Sequence, residues 1–219
     1  MHKVVTIDGP AGAGKSTIAR KLAERLNWSF LDTGAMYRVV TLVALEAEAD
    51  LENERSLIDI AESIRPRFEG HRVFVNDRDV TSEIREPRVT RAARYAAGNP
   101  GVRELLVQWQ RAAAEFQDLV TEGRDQGTIV FPNALVKFFL DATDEERANR
   151  RFRELTAKGH PIEFVEVLAD QRRRDLEDRT RAIAPLKPAD DALLIDSTDK
   201  SLDDVLDEMT ALIQPFLNS

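Results

Sequence analysis

The 219-residue chain contains no cysteine. Disulfides, thiolate zinc sites and thiol nucleophiles are therefore excluded, in keeping with a reducing compartment. Histidine is nearly as scarce. His2, His71 and His160 are scattered without an H-E-x-x-H or other ligand spacing, so neither a histidine metal centre nor a histidine-based triad is expected. No apolar run approaches the roughly 20 residues a bilayer demands, and the chain opens straight into a strand-like segment with no room for a signal peptide. The expectation is a cytoplasmic protein without membrane contact. Net positive charge is absent too: at −8 the chain lacks the field that captures polyphosphate backbones, which argues against a general nucleic-acid-binding role. Internal repeats and low-complexity segments are missing. What remains is a chain with 42% hydrophobic residues, enough for a real core as one domain with inserts or as two small domains.

Directly after the apolar run Val4-Val5-Thr6-Ile7 stands Gly9-Pro10-Ala11-Gly12-Ala13-Gly14-Lys15-Ser16, a complete G-x-x-x-x-G-K-S phosphate-binding loop. Its glycines allow sharp turns that aim backbone N–H groups at phosphate oxygens. Lys15 supplies charge to the β- and γ-phosphates, and Ser16 a hydroxyl for Mg²⁺. The motif requires strand, loop and helix in that order. Residues 3 to 7 read as a buried strand, and Ile18, Ala19, Leu22, Ala23 and Leu26 give the next segment one apolar helical face. A nucleoside triphosphate is the expected first ligand, held by Gly9 to Ser16 together with Thr17.

The order then repeats: Ser29-Phe30-Leu31 is a second strand running into Asp32-Thr33-Gly34, followed by a helix through Met36, Val39, Val40, Val43 and Leu45. Such alternation predicts an α/β fold with a parallel sheet, helices on both faces and ligands at the carboxyl ends of the strands. From about Asp50 the pattern changes to a helix near Leu57 to Ile64 and short strands over Arg72 to Asn76 and Asp79 to Thr81, read as a small inserted α+β subdomain. Pro87 and Pro100 bracket a segment with Arg88, Arg91, Arg94 and Tyr95, and Val102 to Phe116 resumes a helix. Leu119 to Thr121 and Leu135 to Leu140 return to core strands, before a helix from Asp144. Residues 144 to 181 are charged and helical, broken at Gly159-His160-Pro161, and hold nine arginines between Arg147 and Arg181. This stretch reads as a lid, whose part near Phe152 to Phe164 closes over ATP. A last strand at Ala192 to Ile195 and a helix opened by a Ser201/Asp204 capping box, with Leu202, Val205, Leu206, Met209, Leu212, Ile213 and Phe216 as its core face, complete the chain. The segments expected are core over 1–49, insert over 50–100, core over 101–150, lid and flanking helices over 151–181, and core again over 182–219.

A phosphate loop alone serves switches, motors and kinases. No glycine has an Asp three residues before it, so the D-x-x-G switch is missing, as are N-K-x-D and L-S-G-G-Q. The motifs GPAGAGKST, LDTGAMYR (Leu31 to Arg38), DVTSEIR (Asp79 to Arg85), EGRDQGTIVFP (Glu122 to Pro132) and RRRDLEDRTRAIAPL (Arg172 to Leu186) resemble the bacterial cytidylate kinase family of nucleoside monophosphate kinases over nearly the whole chain. The resemblance implies a phosphate-loop kinase core with a monophosphate-binding insert and a helical lid, acting as a monomer. It implies transfer of the γ-phosphoryl group of ATP to CMP or dCMP with Mg²⁺ bound through Ser16.

By the same resemblance Lys15, Arg38, Arg124 and Arg181 are the catalytic set, the three arginines holding the acceptor phosphate and bridging toward the donor. Arg174 and Asp178 stand at the acceptor sugar, and Asp125 and Arg103 at the base, where cytosine needs one acceptor and one donor. Thr33 and Tyr37 complete the acceptor set, although Tyr37 reads first as a packing residue. Two positions depart from the family: Arg94 stands where a base-site Ser is usual, and Gln126 where an apolar residue is usual. An outward-facing Arg94, a structural Asp125–arginine pair and an ordinary ion-pair ladder around Arg174, Asp178 and Arg179 are the plainer readings of those residues. A kinase for UMP or another small acceptor, and a non-catalytic ATP-sensing regulator, are the alternatives in function.

Overall fold

The computed structural model describes every residue except 1, 71, 158, 160, 218 and 219, so His71 and His160, and with His160 the centre of the expected lid break, lie outside the described residues. Along the chain run β1 (Val4–Asp8), α1 (Lys15–Leu26), β2 (Ser29–Asp32), α2 (Thr33–Glu46), α3 (Glu54–Ser63), β3 (Arg67–Glu69), β4 (Arg72–Val75) and β5 (Arg78–Asp79). A 3₁₀ turn at Glu83–Arg85 precedes α4 (Pro87–Gly98), α5 (Pro100–Ala113) and β6 (Leu119–Gly123). A π-helical turn at Gln126–Val130 leads to β7 (Val136–Asp141), α6 (Asp144–Ala157), α7 (Phe164–Thr180), β8 (Leu193–Asp196) and α8 (Leu202–Leu217). These elements group into two compact units, residues 1–31 with 116–219, and residues 32–115.

The first unit is built on a five-stranded sheet of order β2-β6-β1-β7-β8, the parallel α/β arrangement with helices on both sides that the alternation predicts. β1 pairs in parallel with both β6 and β7, which is why all five of its residues are buried and why it carries Val and Ile rather than an alternating pattern. One face of the sheet packs against α1 and α8: Val5, Ile7, Val120, Phe138 and Leu140 meet Ile18, Leu22, Val205, Met209 and Ile213. The apolar stripe on α1 falls where expected. On α8, Phe216 stays 43% exposed in the last turn, whereas Leu212 and Leu217 pack against the core. The Ser201/Asp204 box forms, each residue's side chain accepting the other's backbone N–H.

Where β1 ends, the chain must turn within a crowded space. A Cβ on Gly9 would lie 2.0 Å from the Leu140 carbonyl oxygen, so only glycine fits. Gly14 takes φ 89° at the start of α1, and its carbonyl accepts the first helical N–H groups, from Thr17 and Ile18. No side chain caps this helix, leaving its first-turn amides and the positive end of its dipole to the loop.

The second unit holds α2, α3, the antiparallel sheet β3-β4-β5, α4 and α5. Asp32 caps α2 by accepting from Ala35 N–H at 2.8 Å. The buried face of α2 includes Met36, Val39, Val40, Leu42 and Ala44, while Val43 and Leu45 are half-buried. β3 was not anticipated, since its Arg-Phe-Glu sequence has no apolar alternation; it forms through antiparallel pairing with β4 and the Arg67 guanidinium lying 4.3 Å from the Phe74 ring centre. α5 begins at Pro100 and stops at Ala113, short of Phe116, which is 80% exposed. Asn99 is the reason for its start: Oδ1 accepts from Val102 N–H while Nδ2 donates to the Glu54 carbonyl.

Candidate active site

Each unit carries part of the expected residue set. In the first, the phosphate loop places Lys15 in a buried position with Nζ donating to the Pro10 carbonyl at 2.7 Å. Burial, followed by the positive charge of Arg124, pulls its pKa down from 10.5 to about 7. A lysine held this way is short of negative charge. A bound triphosphate would supply that charge and restore the ammonium, so the expected result is that ATP binding at pH 8 takes up protons and weakens as pH rises above about 7. Calorimetry of ATP binding in two buffers of different ionisation heat reads this directly; heats that do not differ between buffers would count against it.

Beside Lys15, Ser16 Oγ donates to Glu122 Oε1 at 2.8 Å, and Glu122 is itself buried at the end of β6. Two hard oxygen donors at the loop mouth suit Mg²⁺, which completes its octahedron with waters and substrate phosphates rather than an all-protein cage. Glu122 lies within a motif quoted from the sequence, yet only the parallel pairing of β6 with β1 brings it to Ser16.

Immediately past the end of β6, Arg124 donates from Nε to Asp178 Oδ2 at 2.7 Å. Burial works against the Arg124 charge, but Asp178 and Glu122 outweigh it and hold the guanidinium above its ordinary range. For Asp178, burial opposes ionisation while Arg124, Arg181 and Arg174 more than offset it, keeping the carboxylate low. Arg181 Nη1 lies 3.9 Å from Asp178, and its Nε donates to the Ala184 carbonyl. Arg174 is disfavoured as a cation by burial and then by Arg124. The structure thus gathers Arg124, Arg174 and Arg181 about the Asp178 carboxylate, which takes its close hydrogen bond from Arg124, distant in sequence, rather than from Arg174 four residues earlier. The solvated helix ladder forms instead on Arg173, which bonds Asp170 and Glu177.

Asp125 is buried and opens the π-helical turn, its carbonyl accepting from Ile129 and Val130 N–H. That turn is clamped by Asp8, whose Oδ1 and Oδ2 accept from Gln126 N–H at 2.9 Å and Gly127 N–H at 2.7 Å. Burial raises Asp8 from 3.8 to about 6, against the pull of those two amides. Gln126, polar where an apolar residue is usual, is satisfied internally: its Oε1 accepts from Thr121 Oγ1 at 3.0 Å. Asp8 was missed by sequence reasoning; its only signal is its place immediately before Gly9. The expected lid segment is bounded by Phe152 on α6 and Phe164 on α7, whose rings pack edge-on at 6.1 Å.

In the second unit, Asp32 anchors Arg38, whose Nη2 lies 3.4 Å from both carboxylate oxygens. Gly34 makes room for that return: a Cβ there would meet Arg38 Nη1 at 3.1 Å. Thr33 is buried at the first turn of α2. Arg103 is buried, with its guanidinium 5.7 Å from the Tyr37 ring centre and Nη1 donating to the Ala97 carbonyl, so these two expected residues are brought together. Arg94 is exposed and lies against its neighbour Tyr95, 4.9 Å from the ring centre and bonded to its hydroxyl.

A family model described as cytidylate kinase matches residues 5–215. Cytidylate kinases of Yersinia pestis (strain Pestoides F) and Yersinia pseudotuberculosis (serotype O:1b) are each 45% identical over 218 residues, covering 98% of this chain and 95% of theirs. Among solved structures, an uncharacterized protein from Eubacterium ventriosum aligns at a TM-score of 0.52 and 13% identity, covering 97% of this chain and 99% of its own. A shikimate kinase from Bacteroides thetaiotaomicron aligns at 0.50 and 14%, covering 97% and 98%. At such identities these two speak for the fold alone.

Proposed function

The chain belongs to the cytidylate kinase family, and from that membership we propose that it moves the γ-phosphoryl group of ATP onto CMP or dCMP, giving ADP and CDP or dCDP. The observation that carries this reading is a buried Lys15 whose charge is depressed by burial and by Arg124 at a helix start without a side-chain cap: cations are assembled there at a cost that a polyphosphate relieves.

An acceptor phosphate has its second pKa near about 6, so it is already an anionic nucleophile at neutral pH and needs no general base. One of its oxygens forms the new bond to phosphorus as the bond to the β–γ bridging oxygen of ATP breaks, and ADP leaves with that electron pair. The transition state spreads charge over equatorial oxygens, so the protein's task is positioning and charge neutralisation. In this reading the Gly9 to Thr17 loop holds the triphosphate and Lys15 neutralises its terminal phosphates. Ser16, with Glu122 behind it, would hold Mg²⁺, which when bound supplies Lewis-acid charge to the phosphate oxygens. Arg38, Arg124 and Arg181 take the acceptor phosphate, Arg174 and Asp178 the sugar, and Asp125 and Arg103 the cytosine edge, with Thr33 and Tyr37 lining the acceptor. Arg94, against Tyr95, is left to the surface. Residues 50–100 serve as the monophosphate-binding insert and residues 151–181 as the lid that excludes water from the phosphoryl group. The protein acts as a cytoplasmic monomer; its net charge of −8 disfavours nucleic-acid partners, and no helix among the described residues is long and apolar enough to cross a membrane.

With ATP labelled at the γ-phosphate, label appears in CDP one-for-one with ADP, and only when CMP is supplied. Label released as inorganic phosphate at the same rate with and without CMP would contradict transfer and favour an ATP-sensing role.

A further inference from the structure

Arg147, on α6, is the bulkiest of the fully buried side chains, 1% exposed, and every one of its bonds is directional. Nε donates to the Ala142 carbonyl at 2.9 Å and Nη2 to Asp144 Oδ1 at 2.5 Å. Nη1 reaches both the Ala11 carbonyl, at 2.9 Å, and Asp175 Oδ2 on α7, at 2.5 Å. The other Asp175 oxygen accepts from Ala11 N–H at 3.4 Å, and Gln171 Nε2, one turn earlier on α7, also donates to the Ala11 carbonyl, at 3.2 Å. Ala11 in the phosphate loop is therefore gripped at both its N–H and its C=O by three buried side chains. The next residue continues the fit: Gly12 has φ +77°, and a Cβ there would meet Gln171 Nε2 at 3.1 Å and the Arg147 carbonyl at 3.2 Å.

A buried ion pair is weak support for stability, because well-packed apolar residues commonly do as well. What apolar residues cannot do is hold an N–H and a C=O in one orientation. Asp175 also lies one turn before Asp178, the partner of Arg124. We propose that Arg147, Gln171 and Asp175 are positioning residues that clasp Ala11, set the phosphate loop in its triphosphate-binding shape and couple α7 to that loop. The proposal rests on the reading that the loop binds ATP.

The test compares thermal midpoint, KM for ATP, KM for CMP and kcat in the full chain carrying Arg147→Met with Asp175→Leu, and separately Gln171→Leu and Asp175→Asn. Replacing the pair by apolar residues keeps the thermal midpoint near the parent's. KM for ATP rises about tenfold or more, because a loop displaced by a fraction of an ångström loses aligned phosphate contacts, while KM for CMP moves by less than about twofold. Gln171→Leu, which removes one donor and no charge, raises KM for ATP about threefold. If the double variant fails to fold, Gln171→Leu and Asp175→Asn decide by the same ratio. Variants that change the thermal midpoint but leave KM for ATP within twofold of an active parent would overturn the clasp alone. A parent that transfers nothing from ATP would overturn the functional reading beneath it.

Discussion

Replacing Lys15 with alanine lowers kcat/KM for phosphoryl transfer by about 10³-fold or more while leaving the protein folded. The size follows from where the charge sits. Nζ is buried against the Pro10 carbonyl, in surroundings that exclude the water which would otherwise screen it, so its attraction for developing negative charge is far stronger than at a surface. No other lysine stands in the loop to replace it. The folded state loses little, because burial and Arg124 already disfavour this ammonium; a charge whose pKa is pulled from 10.5 to about 7 does not stabilise the fold that holds it. Steady-state kinetics beside a thermal melt makes the check. A loss of tenfold or less in a variant that melts with the parent would remove Lys15 from the transfer step.

The parts of this molecule that were legible in the sequence are those whose cause is local. The Gly9-to-Ser16 loop carries its own turn chemistry, and Gly9 and Gly14 stand where the backbone admits no side chain or needs a positive φ. LDTGAMYR is legible for the same reason: Asp32 caps α2, Gly34 clears the path and Arg38 comes back to Asp32 within six residues. What could not be read is what distant strands and helices decide. Arg174 and Asp178, four apart on one helix, invite an i, i+4 reading, but the close hydrogen bond to Asp178 comes from Arg124, just past the end of β6. Asp8, Glu122 and Asp175 look like ordinary acidic residues until the sheet register and the α6–α7 packing bring them to Gln126, Ser16 and Ala11. β3 is a further case, a charged strand made by its partner rather than by its own composition. Phe216 errs in the other direction: the helical period predicts core, and the side chain is 43% exposed in the last turn of α8.

Acceptor choice is the second large effect. Cytosine presents an amino donor and a ring acceptor where uracil presents the reverse, so a site that meets cytosine leaves buried polar groups unpaired against uracil. Asp125, buried in the first unit, is held at the mouth of a π-helical turn that Asp8 clamps at two amides, and Arg103, buried in the second, is fixed by the Ala97 carbonyl and the Tyr37 ring. On the proposed reading that Asp125 and Arg103 meet the cytosine edge, groups held in this way reject a mispaired analogue by about 10²-fold or more, since they cannot turn to suit it. Arg94, which stands where the family's base-site Ser is usual, lies exposed against Tyr95 and donates to its hydroxyl. The most direct measurement is kcat/KM for CMP, dCMP, UMP and AMP at saturating ATP. CMP and dCMP exceeding both others by about 10²-fold is the expected outcome; UMP or AMP matching CMP would contradict the account.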